Sequence, residues 1–482
     1  METALLLLAI PLVAAGIQGV VGAGRAGRMI NLGAGAGTFA AALTLAVERP
    51  VLGGGLILDE LNLVFVLLTA FVGLTTAWYS AGYVAGEAAA GRMTPRRERL
   101  YHAMVQLFLF AVLLALLADN LGLVWVAIEG ATLATVLTVG LYRTAASIEA
   151  AWKYFILAGV GIALALFGTI LVYMAATPVM GTGTAAMTWS LLRLFIAEAD
   201  PQVMTLAFVF VLVGYGTKAG LVPLHAWLPD AHAEGPTPLS AVLSGLLLNV
   251  ALYAILRFRA LVEAGGPTVL PGVLMMAMGL ASVLVGGLML HRRRDARRFF
   301  AFSSVEHMGI AAFALGFGGP LATFAGLLHM VLHSLTKSAI FFAVGSAAQA
   351  AGSQRIADLT GLLLARPALG WGLLAGVIAI AGLPPFGLFA TEVMIVAAAF
   401  PALPWLVPLL CAGLLVALGA LVVRVQGMVF GPAGPASAAD RAPASLGPMW
   451  IHLALVLLAG VWLPEPVRLV LEAAADLIAG TR

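Results

Sequence analysis

The stretch LATFAGLLHMVLHSLTKSAIFFAVGSA, Leu321–Ala347, decides how the rest of the chain is read. It is longer than the ~20 residues a helix needs to cross the hydrocarbon core of a bilayer. Yet it carries His329, His333 and Lys337. On a helix these three stand at i, i+4 and i+8, on one face, each about 6 Å from the next. One or two waters can bridge such a gap. An ionisable residue at the centre of a span costs about 2.5–3.5 kcal/mol on insertion scales, so three on one stripe ask for a reason. Histidine titrates near neutrality and a lysine out of water gives up its proton more readily, so the stripe can pass protons along.

Working outward, thirteen further runs of spanning length flank this one, making an all-α polytopic membrane protein of about 14 transmembrane helices. The composition agrees: 62% of the 482 residues are hydrophobic and 10% charged, against the roughly 45–50% apolar content of soluble domains. A soluble enzyme, a nucleic-acid-binding domain and a disordered chain are excluded. The first run has no basic start and is followed by a second span, so it does not read as a cleaved signal peptide. Cys411 is the only cysteine, which leaves no disulfide and no thiolate-held zinc, iron–sulfur cluster or c-type haem. No cofactor is expected in this chain.

The 22 arginines then orient it. Connections after odd-numbered spans hold 16 of them, among them Arg92, Arg96, Arg97, Arg99, Arg143, Arg297 and Arg441. Those after even-numbered spans, with the C-terminal tail, hold six, including Arg257, Arg259 and Arg482. By the positive-inside rule the odd connections are cytoplasmic and both termini lie on the other side, in a bacterial plasma membrane. Gly431–Pro448 reads as a loop, and Glu465–Ile478 as an amphipathic helix at the interface.

The three lysines of the chain fall in or at the edge of apolar runs. Glu129 lies mid-way along the fifth span, Lys153 in the sixth, and Lys218 near the end of the seventh, just before Pro223. Glu306 and His307 are in the tenth span, and Glu392 is in the twelfth, after Pro384 and Pro385. Taken singly, each could pair only to hold helices together. Taken as a set they form two halves, each with an acid, then a basic group, then an ionisable residue beside prolines. Five spans separate the copies, so their orientations are opposite. Two inverted five-helix repeats with broken helices are the mark of an ion pathway near the midplane. The expected division is residues 1–99, a three-span segment; 100–261 and 270–427, two half-channels; and 428–482, a last span with its amphipathic helix. His225, Asp230, His232 and Glu234 cluster among four prolines, and read as a rigid loop rather than a metal site.

Five motifs in order now carry a resemblance: LILDELNLVF (Leu56–Phe65), AAWKYFILAG (Ala150–Gly159), the run from Lys218 to Arg257, HMVLHSLTKSAIFF (His329–Phe342) and GLPPFGLFATE (Gly382–Glu392). They resemble the antiporter-like subunits of respiratory complex I, multisubunit cation/proton antiporters and membrane-bound hydrogenases. DARRFFAFSSVEHMG, Asp295–Gly309, with its Glu306-His307, is similar to component F of hydrogenase-4-type complexes. The resemblance implies that Glu129 and Lys218 are the Glu–Lys pair of the first half-channel and Lys337 the central lysine, approached through His329 and His333. Glu392 corresponds to the terminal residue. Ser244 stands where several members place a histidine, so the link from Lys218 to Lys337 would run through Ser244, Asn249 and water. No long lateral helix follows the fourteenth span, unlike the largest subunit type.

The expectation is therefore a proton-translocating subunit (less readily a Na⁺-translocating one) of a hydrogenase-4- or complex-I-like assembly, in contact with lipid and with other subunits that hold the redox chemistry. Its rivals are a cation/proton antiporter subunit without redox coupling, a membrane subunit of complex I NADH-quinone oxidoreductase, and a scaffold whose charges are only structural.

Overall fold

The computed structural model describes residues 1–266, 268–432 and 444–479. Every regular element among them is helical; the β-pairing is confined to isolated bridges. The N-terminal half holds α1 (Glu2–Val21), α2 (Gly24–Glu48), α3 (Glu60–Ala89), α4 (Pro95–Leu117), α5 (Leu121–Val139), α6 (Ala145–Met180) and the short α7 (Trp189–Phe195). Next come α8 (Pro201–Lys218), α9 (Trp227–Glu234), α10 (Thr237–Val242) and α11 (Leu248–Ala264), the last two joined by a π-helical turn at Leu243–Leu247. The C-terminal half holds α12 (Leu270–Leu290), α13 (Ala296–Phe317), α14 (Pro320–Ala351), the short α15 (Leu362–Ala365), α16 (Pro367–Ile380) and α17 (Gly387–Ala399). It closes with α18 (Leu406–Phe430), α19 (Gly447–Val461) and α20 (Glu465–Ile478).

Helix starts follow local chemistry. Asp59 and Thr144 cap α3 and α6 in reciprocal boxes with Asn62 and Ser147, which satisfies backbone donors that the first turn leaves free. Thr94 with Pro95 and Asp200 with Pro201 open α4 and α8, where proline's missing N–H costs nothing.

Eleven helices are long and apolar enough to cross a membrane, or twelve if the α19–α20 pair, bent by 77°, is one span. The expected seventh span falls on α8, and the expected twelfth runs over α16 and α17 across their break. The residues expected to form a rigid loop after Pro223 are instead α9 and the start of α10. Pro229 and Pro238 sit in the first turns of those helices, where a residue without an N–H is tolerated. Arg257 and Arg259, counted with a connection from the sequence, lie inside α11 and are buried. Much of Gly431–Pro448, with Arg441, lies outside the described residues, as does Arg482.

The layering inverts that of a soluble bundle. α13, α14 and the α10–α11 rod are rich in buried polar groups and are almost wholly enclosed. The most apolar helices, α6 and α18, turn much of their surface outward, as a hydrocarbon solvent requires. α12 and α13 meet along glycines seven residues apart. A methyl on Gly279 would stand 2.6 Å from the Phe313 nitrogen, and one on Gly272 2.6 Å from the Gly316 carbonyl. Gly286 likewise admits the backbone of Glu306. Gly161, Gly168 and Gly214 set α6 against α8 in the same manner, the small-residue packing that membrane helices use in place of a hydrophobic drive.

Connections numbered odd from the sequence gather at one face. Arg92, Thr144, Arg297 and Gln354 line one cavity of about 350 Å³ with the buried Glu87. Glu87 bonds Arg92 at 2.5 and 2.9 Å and so holds its guanidinium above the ordinary value. At the other face Arg257 grips Asp59 through two bonds, 2.5 and 3.0 Å, and lies 4.3 Å over the Trp189 ring. That pair ties the start of α3 to α11.

Candidate functional site

The ionisable groups fall into two centres, one at each broken helix. In the first, α8 ends on Lys218 itself, because Gly220, with φ +74°, turns the chain and Pro223 follows. Lys218 is fully enclosed. Its ammonium lies 3.3 Å from the Glu129 carboxylate of α5 and donates to the Thr132 hydroxyl at 2.5 Å, one helical turn along. Thr135, on the same face of α5, bonds Tyr154 of α6 at 2.9 Å. Tyr154 stacks on Trp227, whose indole N–H returns to the Thr217 carbonyl at 2.8 Å. The end of α8 is thereby fixed from both sides.

Lys153 does not join this centre. α6 begins seven residues before the expected start, so Lys153 falls in its third turn, partly exposed, 2.5 Å from Asp230 and 4.0 Å from Glu149. The four candidates for a metal cluster also part. Asp230 and Glu234 both pair with Arg298, at 3.3 and 3.2 Å, while His232 is buried flat against Phe341, ring centroids 4.8 Å apart. Among the described residues no group of three or more His, Cys, Asp or Glu is placed to hold a metal ion. His232 is a candidate residue that the sequence reading set aside as part of a loop. It sits in the second half of the broken helix, and both ring nitrogens are buried without a partner. The signal was available as a histidine following a lysine and a proline break, but proline-rich surroundings masked it.

The link toward Lys337 is built from hydroxyls. Ser244, in the π-helical turn, lies 2.7 Å from the Ser304 hydroxyl of α13. Ser304 donates to the Phe300 carbonyl at 3.3 Å, and Lys337 donates to the same carbonyl at 2.7 Å. In this π turn the Gly245 carbonyl accepts from the Ser334 hydroxyl and the Asn249 side chain; such turns recur at functional sites. Asn249 also bonds the Met330 carbonyl at 3.0 Å, leaving its own side-chain oxygen buried and unpartnered.

A cluster of imidazoles stands on α13 and α14 beside Lys337. His307 of α13 inserts between His329 and His333 of α14, stacked on each with ring centroids 5.2 and 5.6 Å apart. His307 Nδ1 is 3.1 Å from His329 Nε2, and His329 Nδ1 is 2.9 Å from the Thr391 hydroxyl of α17. All three rings are buried. His307 Nε2, both nitrogens of His333 and one carboxylate oxygen of the neighbouring Glu306 have no partner. Leaving a buried polar group unmade costs about 1–3 kcal/mol, and interiors meet such groups with ordered water. Glu392 follows Thr391, in the second turn of α17, and makes no hydrogen bond or ion pair among the described residues. Its carboxylate lies over Gly382, at the break between α16 and α17, where a side chain on Gly382 would collide with it. Phe386 is the residue before α17, so Glu392 is not its N-cap.

With this geometry in place, the comparisons align. A family described as NADH:quinone oxidoreductase/Mrp antiporter, TM, matches residues 118–419. A Hydrogenase-4 component F homolog of Methylacidiphilum infernorum is 54% identical over 433 residues, covering 89% of this chain and 90% of that protein. Among solved structures, a chain of the membrane-bound sulfane sulfur reductase, an archaeal respiratory membrane complex, superposes with a TM-score of 0.88 at 23% identity, covering 99% of this chain and 98% of that one. A chain of respiratory complex I from Thermus thermophilus gives 0.82 at 22% identity, covering 98% and 99%. These two share the fold.

Proposed function

The chain belongs to the NADH:quinone oxidoreductase/Mrp antiporter transmembrane family and is an integral membrane protein, and from that premise we propose that it is the proton-translocating membrane subunit of a hydrogenase-4- or complex-I-like assembly. The observation that carries this reading is a series of buried polar clusters: Glu129 with Lys218, Ser244 with Ser304 and Lys337 at the Phe300 carbonyl, and His307 with His329 and Thr391 beside Glu392. A scaffold has no use for so many costly groups placed end to end across the membrane plane.

A proton enters at the Lys218 centre. While the Glu129 pair is closed, the Lys218 ammonium keeps its charge; opening the pair removes the partner that favours the charged form, and the proton moves on. His232 and the Ser244–Ser304 hydroxyls with water relay it to Lys337. The imidazoles pass it to Glu392, and the broken α16–α17 helix opens to the far side, since carbonyls freed at such a break draw water. Nitrogen carriers suit H⁺; Na⁺, a hard cation, asks for a shell of oxygens. The two half-channels, residues 100–261 and 270–427, act as inverted repeats. The arginine-rich face is cytoplasmic, in a bacterial inner membrane, and both termini face outward. Other subunits of the assembly hold the electron carriers, and this chain holds none.

Reconstituting the assembled complex in proteoliposomes tests the reading. Substrate-driven acidification should be lost in Lys218→Ala, while electron transfer at the redox subunits persists. Undiminished acidification in that variant leaves the scaffold reading in its place.

A further inference from the structure

Away from the proton line, a cavity of about 1030 Å³ opens between α4, α5 and α6, at the top of the ~300–1,000 Å³ range of small-molecule sites. One end is set by four arginines: Arg96, Arg97 and Arg99 at the start of α4, and Arg143 just beyond α5. Arg96 and Arg99 are three residues apart, on one helix face. Arg96 and Arg143 are exposed and the other two partly so. None of the four is in an ion pair with a carboxylate among the described residues; the Arg97 guanidinium donates to the Arg92 carbonyl. The acid between them, Glu98, is buried and turned toward Arg28, 3.7 Å away. No acidic residue lines the cavity.

From that charged end the walls run inward and turn apolar. Leu137 and Leu133 descend α5, and Trp152 and Phe155 ascend α6. Leu137 and Trp152 are 53% and 59% exposed, so this wall is left open by the fold. The polarity thus changes along the membrane normal, cations at the rim and hydrocarbon at depth, with a tryptophan where interfacial aromatics sit.

We propose that this groove is a binding site for an anionic membrane phospholipid, its phosphate held by Arg96, Arg99 and Arg143 and an acyl chain laid between α5 and α6. Basic pockets between helices at the cytoplasmic side are suited to such headgroups, and three unpaired guanidinium forks match a phosphate's oxygens. A face for a neighbouring protein would be expected to bring hydrogen-bonding groups along its depth. Here the wall beyond the arginines is aliphatic and aromatic, with the Trp152 indole N–H its one side-chain donor.

The test is native mass spectrometry of the full chain in neutral detergent, titrated with dioleoylphosphatidylglycerol or dioleoylphosphatidylcholine. The intact chain should prefer the anionic lipid, and R96Q/R99Q/R143Q should lose at least about tenfold of that preference, since each arginine near an anionic surface contributes roughly a factor of five. R96K/R99K/R143K, which keeps the charge, should retain most of it and controls for misfolding. Equal binding of the two lipids by the intact chain overturns the proposal. So does an unchanged preference in the Gln variant. If the assembled complex carries no phosphatidylglycerol on this chain and Arg143 crosslinks to another subunit, the groove is a subunit contact and the proposal fails.

Discussion

Lys337 donates to the main-chain carbonyl of Phe300 at 2.7 Å and has no carboxylate within ion-pair distance among the described residues, whereas Lys218 has Glu129 at 3.3 Å. A carbonyl accepts from a neutral amine as well as from an ammonium, so Lys337 can lose its proton without losing its place. An ion pair gives no such freedom. The first lysine is therefore held by charge and the second by position.

It follows that Lys337→Arg should block translocation while the complex still assembles. Arginine keeps the charge and can reach the Phe300 carbonyl, but it does not deprotonate in a protein. Acidification in proteoliposomes should fall by more than about tenfold, the equivalent of ~1.4 kcal/mol on the barrier. A variant that pumps at the parental rate removes Lys337 from the proton's route.

Lys218→Ala leaves Glu129 without its partner in a site enclosed on most sides. Breaking a buried pair this way costs about 3–5 kcal/mol, so both the yield of assembled complex and pumping should drop. Glu129→Gln with Lys218→Met, which removes both charges, should restore assembly but not pumping. Recovery of both activities in the double variant would show that the pair is only structural.

Glu392→Gln separates proton release from helix support. The amide retains the shape of the carboxylate over Gly382 but cannot carry a proton. The assembled variant should oxidise substrate and fail to acidify. Parental pumping would assign Glu392 to packing at the break.

Gly279→Leu addresses the α12–α13 contact. Even a methyl there meets the Phe313 backbone at 2.6 Å, and overpacking of this kind costs typically 1–3 kcal/mol. The midpoint of thermal aggregation of the detergent-extracted chain should fall, whereas Gly419→Leu, with open space around it, should leave it unchanged. An unaltered midpoint for Gly279→Leu would mean that the helices part easily.

Much of this was legible from the residues. The membrane class, the helical spans and the partnership of Glu129 with Lys218 follow from hydropathy and from the cost of a lone charge in hydrocarbon. The stripe of His329, His333 and Lys337 follows from helical spacing. Pro384 and Pro385 marked the second break. What could not be read is whatever depends on contact between distant segments. His307 lies 22 positions before His329, and nothing in that interval says that its ring enters between two others. Lys153 looked buried because its neighbours are apolar, yet it is partly exposed and pairs with Asp230, 77 residues on. His232 was hidden because four prolines suggest a loop, although two of them occupy first-turn positions that helices accept. Ser244 meets Ser304 from within a π turn, which leaves no mark in composition.

The seven-residue glycine seam between α12 and α13 has a mechanical meaning. Backbones in such contact have no side-chain cushion to shear against, so the two helices move together or not at all. Glu306, His307, Ser304 and the Phe300 carbonyl all ride on α13, and so share its fixed position. In the translocation proposed above, gating would then belong to the breaks after Lys218 and before Gly387, where short half-helices can tilt against that frame like valve leaves on a seat.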